Sequence, residues 1–228
     1  SGIRFIAIDT NAEGGDASGN VDDPQYRWVE GQLRKARRKN QLAIGFSHHP
    51  LRSQTATVRD EAATPCDEQG ETQCDQDPRR STPIHRGLAG KKPMRKLFLK
   101  YPNFIAYVVG HIHENEITPH RKRGGAGGFW EIATAAEIDW PQQARLIEVM
   151  DNRDGTLSIF GTVVDTAAPI GTPAEGSPAN VFTDTQLGSL SRRIAANDPQ
   201  VGFNGNVSAH AEGRATDRNV ELLLKDPR

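Results

Sequence analysis

Apolar and polar positions alternate along this chain in blocks that suit an α/β protein. The opening run IRFIAID (residues 3–9) is apolar and β-branched and reads as a buried strand, and the Gly-, Asp- and Asn-rich stretch 11–23 reads as a loop. A helix follows. Asp22 or Asp23 can cap it, Pro24 suits its first turn, and Tyr26, Val29, Leu33 and Ala36 recur at spacings of three and four. Its other face, with Arg34, Lys35, Arg37, Arg38 and Lys39, is expected in solvent, its charge near the C-terminus where the helix dipole favours cations. The strand LAIGF leads to Ser47 and then His48, His49 and Pro50; a long polar insertion, residues 52–92, comes next. A short helix from Pro93 (MRKLFLK) precedes the apolar strand FIAYVV, which ends at Gly110. After the loop RKRGGAGG, the segments FWEIA, ARLIEVM and TLSIFGTVV read as strands, the last two joined by a turn at Asp154-Gly155.

Beyond Asp165 the composition shifts to Ala, Pro, Gly, Ser and Thr, as in a linker. A last helix is expected over 185–196 with Leu187, Leu190 and Ile194 on one face, and VELLL near the end suits an edge strand or a helical turn. The pattern thus divides into residues 1–165, one domain interrupted by the insertion, and residues 166–228, a linker and tail. Strands alternating with helices place loop residues at strand ends, where such folds present ligand-binding groups.

Charge and cysteine content narrow the choice of partners. With 28 basic and 29 acidic residues among 228, the net charge is −1, which gives no electrostatic case for nucleic acid or an anionic membrane as partner. No window approaches the ~18–20 apolar residues of a membrane span. Cys66 and Cys74 are too few for a four-cysteine zinc site but near enough for a small disulfide loop, with two free thiols as the alternative. A disulfide would argue for an exported, oxidising location.

The histidines carry the chemistry. His48-His49-Pro50 and Gly110-His111-Ile112-His113 each follow an apolar strand directly, and His120 lies downstream. A strand end fixes the backbone while the loop leaves the side chain free, and imidazole nitrogen suits Zn, Mn, Fe, Co and Ni alike. A glycine before His111 lets the chain turn sharply. A lone histidine is more often a surface or core-capping residue; two strand-end clusters joined by one helix and one strand favour a metal centre. By contrast, His120-Arg121-Lys122-Arg123 reads better as a solvated hairpin loop than as a phosphate-attracting patch, and Trp130 and Trp140 read as core.

The strings GFSHHP and VVGHIH resemble the last two motifs of the calcineurin-like metallophosphoesterases, and the order agrees from the IDT strand through a helix bearing Trp28 to the SHHP strand. The segment GGFWEIATAAEIDWPQQARLIEVMDNRDGTLSI, with DRNVELLL near the end, further resembles a bacterial branch of that family. The resemblance implies a layered α/β fold, a β-sandwich flanked by helices, of which this chain would be the C-terminal part. It implies a dinuclear site holding two divalent or trivalent ions, with Mn, Fe, Zn, Ca and Mg undistinguished. His48 and His111 would bind one ion and His113 the other, while His49 and Asn115 would lie near the site without binding metal. The activity implied is hydrolysis of a phosphate mono- or diester by metal-activated hydroxide.

The family's Asp-x-His, GDxxD and Asn-His-Asp/Glu motifs should precede Ile3 and are not found in these residues. Gly15-Asp16 and Gly19-Asn20-Val21-Asp22 imitate two of them but stand out of family order and read as turns; Asp9 reads as structural. The implied partners are therefore a phosphoester substrate and the N-terminal half of the enzyme, on the same polypeptide or a companion chain, without which this chain would be an incomplete catalyst. Two alternatives stand beside this: a mononuclear zinc hydrolase on His48, His111 and His113 alone, and a non-catalytic interaction module derived from the same fold.

Overall fold

The computed structural model describes residues 2–12, 17–57, 83–124, 127–171, 182–198 and 211–228. Cys66 and Cys74, Gly15-Asp16 and the charged centre of the insertion lie outside the described residues. The chain forms two compact units, residues 1–109, 119–131 and 227–228 in the first and residues 110–118 and 132–226 in the second. Asp165 falls inside the second unit.

In chain order the elements up to the end of the main sheet are β1 (Ile3–Ala7), β2 (Val21–Asp22), α1 (Asp23–Arg38), β3 (Leu42–Phe46), β4 (Ile84–His85), α2 (Met94–Lys100), β5 (Phe104–Val109), β6 (Glu116–Arg121) and β7 (Gly128–Ala133). The main sheet has the order β1-β3-β5-β7-β6, with β1, β3 and β5 parallel. Parallel neighbours require a crossover, and α1 and α2 supply the two. The architecture is mixed α/β with a parallel-rich central sheet and few helices among the described residues; no helix there is long and apolar enough to cross a membrane.

Asp22 is the cap of α1, accepting a hydrogen bond from Gln25 N at 2.7 Å. Asp23, the other candidate, is already helical and turns its buried carboxylate to His85 Nε2 at 3.0 Å and Arg27 at 2.6 Å. Val29, Leu33 and Ala36 are buried as the spacing predicts, Tyr26 stacks on the His85 ring at 3.9 Å, and the basic face is exposed. Burying a side chain such as Leu33 is worth about 1.5–3 kcal/mol. Behind β3 and β5, Phe98 of α2 stacks on Phe104 at 4.1 Å, with Tyr107 and Phe129 around the pair.

Leu42 N donates to Gly2 O and Ile8 N to Phe46 O, so the even-numbered residues of β1 bond β3 and the odd ones face the sheet's outer side. At Asp9 that side is met by a side chain: Asp9 N donates to Gln25 Oε1, and Gln25 Nε2 donates to Asp9 O, both at 2.8 Å.

Three strands escape the sequence pattern. β2 and β4 form a two-residue antiparallel ribbon, too short for any periodicity, which puts a strand inside the 52–92 insertion. β6 contains Pro119, tolerated because β6 is the last strand of its sheet and a missing N–H on that side leaves no ladder bond unmade.

The second unit holds an antiparallel sheet, β8 (Gln143–Asp151), β9 (Thr156–Asp165) and β10 (Val220–Lys225) in the order β10-β9-β8, and the helix α3 (Asp184–Ala196). The expected turn joins β8 to β9, with Arg153 and Gly155 in left-handed conformations (φ 59° and 85°). VELLL is an edge strand. α3 starts at a capping box between Thr183 and Gln186, one residue earlier than expected.

Its inward face is not the one that carries Leu187 and Ile194. Leu187 and Ile194 are 46% and 66% exposed, and Ser189, Arg192, Ala195 and Ala196 are buried instead. The alanines let the helix approach Trp140, whose ring carries the Arg192 guanidinium at 5.3 Å, while Arg192 Nη1 bonds Asp165 Oδ1 at 2.8 Å. The inward face is thus made of small side chains that fit against Trp140 and of an arginine whose stem is buried while its head is stacked and paired.

Candidate metal centre

β3 ends beside β5, where Ser47 N donates to Val108 O at 3.1 Å. Beyond it the His48-His49-Pro50 turn rests on a buried polar chain. Ser47 Oγ donates to His49 O at 3.0 Å and lies 2.5 Å from Tyr107 Oη; Gln54 Nε2 donates to His49 O at 2.9 Å and to Tyr107 Oη at 2.8 Å. With Gln54 donating to the phenol oxygen, the phenol O–H is directed at Ser47, which closes the chain. Burial pushes the Tyr107 phenol pKa up, against its hydrogen bonds with Ser47 and Gln54, so the group keeps the proton this arrangement needs.

His48 is exposed and His49 is buried, their rings edge to face with centroids 4.8 Å apart. Thr10 Oγ1 lies 2.8 Å from His49 Nδ1 and 3.3 Å from His49 N. Gly19 lies directly against the ring, since a Cβ there would come within 2.7 Å of His49 Cγ and Nδ1. A groove of about 860 Å³ runs from Ser47 past Phe46, Ile8 and Asp9 to Trp28.

His111 and His113 belong to the second unit, immediately after β5. Ile112 N donates to Gly110 O in a tight turn, and both histidines are left-handed, with φ 69° and 52°. Such a conformation costs a side-chain-bearing residue about 1–3 kcal/mol and gathers at functional sites. His113 Nδ1 pairs with Asp139 Oδ2 at 2.5 Å. That carboxylate carried no signal in the sequence; it stands in the EIDW string without periodicity or a motif of its own.

Asn115, expected near the site, is a buried structural hub. Its Nδ2 donates to Gln143 Oε1 at 2.8 Å and its Oδ1 accepts from Arg145 Nη2 at 2.9 Å and Ala135 N at 3.3 Å. Asp9 is structural as read, its Oδ1 accepting from Asn11 N. The imitation motif Gly19-Asn20-Val21-Asp22 is not the expected turn: Asn20 N donates to Thr10 O at 3.1 Å, Val21-Asp22 form β2, and Asp22 caps α1. His120 departs from the solvated-loop expectation: it is buried, bonding Glu131 at 3.0 Å, accepting from Arg95 Nε at 3.1 Å and stacking on Phe129. Three partners on α2 and β7 draw the ring inward where the flanking basic residues alone suggested solvent. Trp140 is core, as read.

No protein-family model matches the chain, and no curated protein matches it.

Proposed function

We propose that this chain supplies the histidine side of a metal-dependent phosphoester hydrolase with the calcineurin-like metallophosphoesterase architecture. One observation carries the proposal: two histidine-bearing loops leave the same ends of neighbouring parallel strands, β3 and β5, and the second loop holds both of its histidines left-handed. His48, His49 and His111 are imidazoles that could hold a metal ion. His113 fits the same chemistry, because a carboxylate on Nδ1 fixes the ring and raises the basicity of the nitrogen opposite. His48, His111 and His113 are the proposed ligands. When bound, a divalent cation supplies Lewis acidity toward a phosphoryl oxygen and acidifies water. The Ser47–Tyr107–Gln54 chain holds the His48 turn in place.

Imidazoles are neutral, so a second ion would need oxygen ligands from the N-terminal half or a companion chain. A single zinc ion on His48, His111 and His113 is the second reading, since three histidines suffice for a catalytic zinc. Metal content after loading the full-length protein with Mn²⁺ or Zn²⁺, together with turnover of bis(p-nitrophenyl) phosphate, tests both. His48→Ala and His111→Ala should each lose bound metal and at least a hundredfold in turnover; unchanged turnover in His111→Ala sinks the proposal. Two ions per chain would select the dinuclear form and one the mononuclear.

A further inference from the structure

The Thr10 hydroxyl stands between two nitrogens of one residue, His49 N and His49 Nδ1. A backbone N–H can only donate, so Thr10 Oγ1 accepts there. The hydroxyl's own proton then has Nδ1 as its target, and among the described residues these two nitrogens are its hydrogen-bond partners. With Nδ1 accepting, a neutral His49 carries its proton on Nε2. The opposite tautomer would aim two N–H groups at one oxygen and leave the O–H of a residue 1% exposed without an acceptor, which burial makes costly. The ring is also confined, lying against Gly19 at a distance no side chain would permit.

We propose that Thr10 locks His49 as the Nε2–H tautomer and thereby makes it a positioning residue that braces the His48 ring, not a metal ligand. An Nδ1 engaged by Thr10 and an Nε2 bearing hydrogen leave no lone pair for a cation. The rings of His48 and His49 meet edge to face, so fixing the buried ring fixes the orientation of the exposed one. Thr10 reaches this turn from the far end of β1, which ties ligand geometry to a residue 38 positions away from His48. The positioning role rests on the reading of His48 as a metal ligand; the tautomer does not.

Two measurements separate them. Ring ¹⁵N NMR on the metal-free protein, with the His49 signals assigned by their loss in His49→Gln, should show a protonated Nε2 and a bare Nδ1. Thr10→Ser should keep that pattern and Thr10→Val should lose it. A protonated Nδ1 in the wild type overturns the proposal whatever the protein does with metal. In a cobalt(II) titration followed by visible absorption, Thr10→Val should bind about 10–100-fold more weakly with an altered spectrum, and Thr10→Ser should restore both. Equal affinity and spectrum in Thr10→Val overturn the positioning role. A wild type that takes no cobalt, zinc or manganese overturns the metal reading and the positioning role together, and the NMR pattern then decides the tautomer alone.

Discussion

A carboxamide offers two donors and one accepting oxygen, and Asn115 uses both ends across three segments of the second unit, meeting Gln143, Arg145, Ala135 and, through its second donor contact, Glu212 O at 3.4 Å. Arg145 is held in turn by Asp217 O and Arg218 O at 2.6 and 2.9 Å, and burial pushes its guanidinium pKa down, against the nearby Asp217. Asn115→Ala should therefore lower stability by about 1–3 kcal/mol in urea unfolding, because it takes one of three acceptors from Arg145 and leaves the Ala135 N–H without its partner. None of this was legible from GHIHEN, since the partners lie far along the chain. The histidine clusters were legible because each abuts an apolar strand, a local relation. Thr10, Asp139 and Gln54 escaped notice for the opposite reason: one hydroxyl, one carboxylate and one amide act on the candidate site across sequence gaps that no spacing rule reports.

At the scale of elements, α1 and α3 show when periodicity speaks. α1 puts apolar residues and solvated cations on opposite faces, and its burial follows the spacing. α3 carries apolar side chains on the face that turns outward, while two alanines, a serine and a paired arginine turn in. The difference is testable by two substitutions. Ile194→Glu should leave the melting temperature unchanged within the scatter of about ±0.5 kcal/mol expected for a surface change. Ala195→Leu should destabilise by about 1–3 kcal/mol through overpacking against the Trp140 cluster. The reverse ranking would restore the face that spacing alone suggests. The strands and helices longer than four residues were otherwise foreseen within a residue or two, apart from β6; the ribbon of β2 and β4 was not, because two residues per strand leave no period to read.

For the whole molecule, the response to acid includes the carboxylates that folding holds in pairs. Burial raises the Asp165 carboxyl pKa, but the hydrogen bonds from Arg192 and Gln143 prevail and hold it below the ordinary value of 3.8. A carboxyl depressed on folding contributes stability that is present above the unfolded value and lost as pH falls through the folded one. Asp165→Asn should therefore flatten the decline of the thermal midpoint as pH falls below about 4, with little change in its slope near neutrality; an unchanged acid limb would show the pair to be without effect. The amide of Gln25 has a different consequence. One donor and one acceptor, spaced as in a peptide group, occupy Asp9 as a single residue of an adjoining strand would. Any polypeptide laid along the outer side of β1 would find Ile3, Phe5 and Ala7 facing it and then meet α1 instead of more backbone. The helix thus acts as a stop, ending at Asp9 the stretch of that edge along which further backbone can join the sheet.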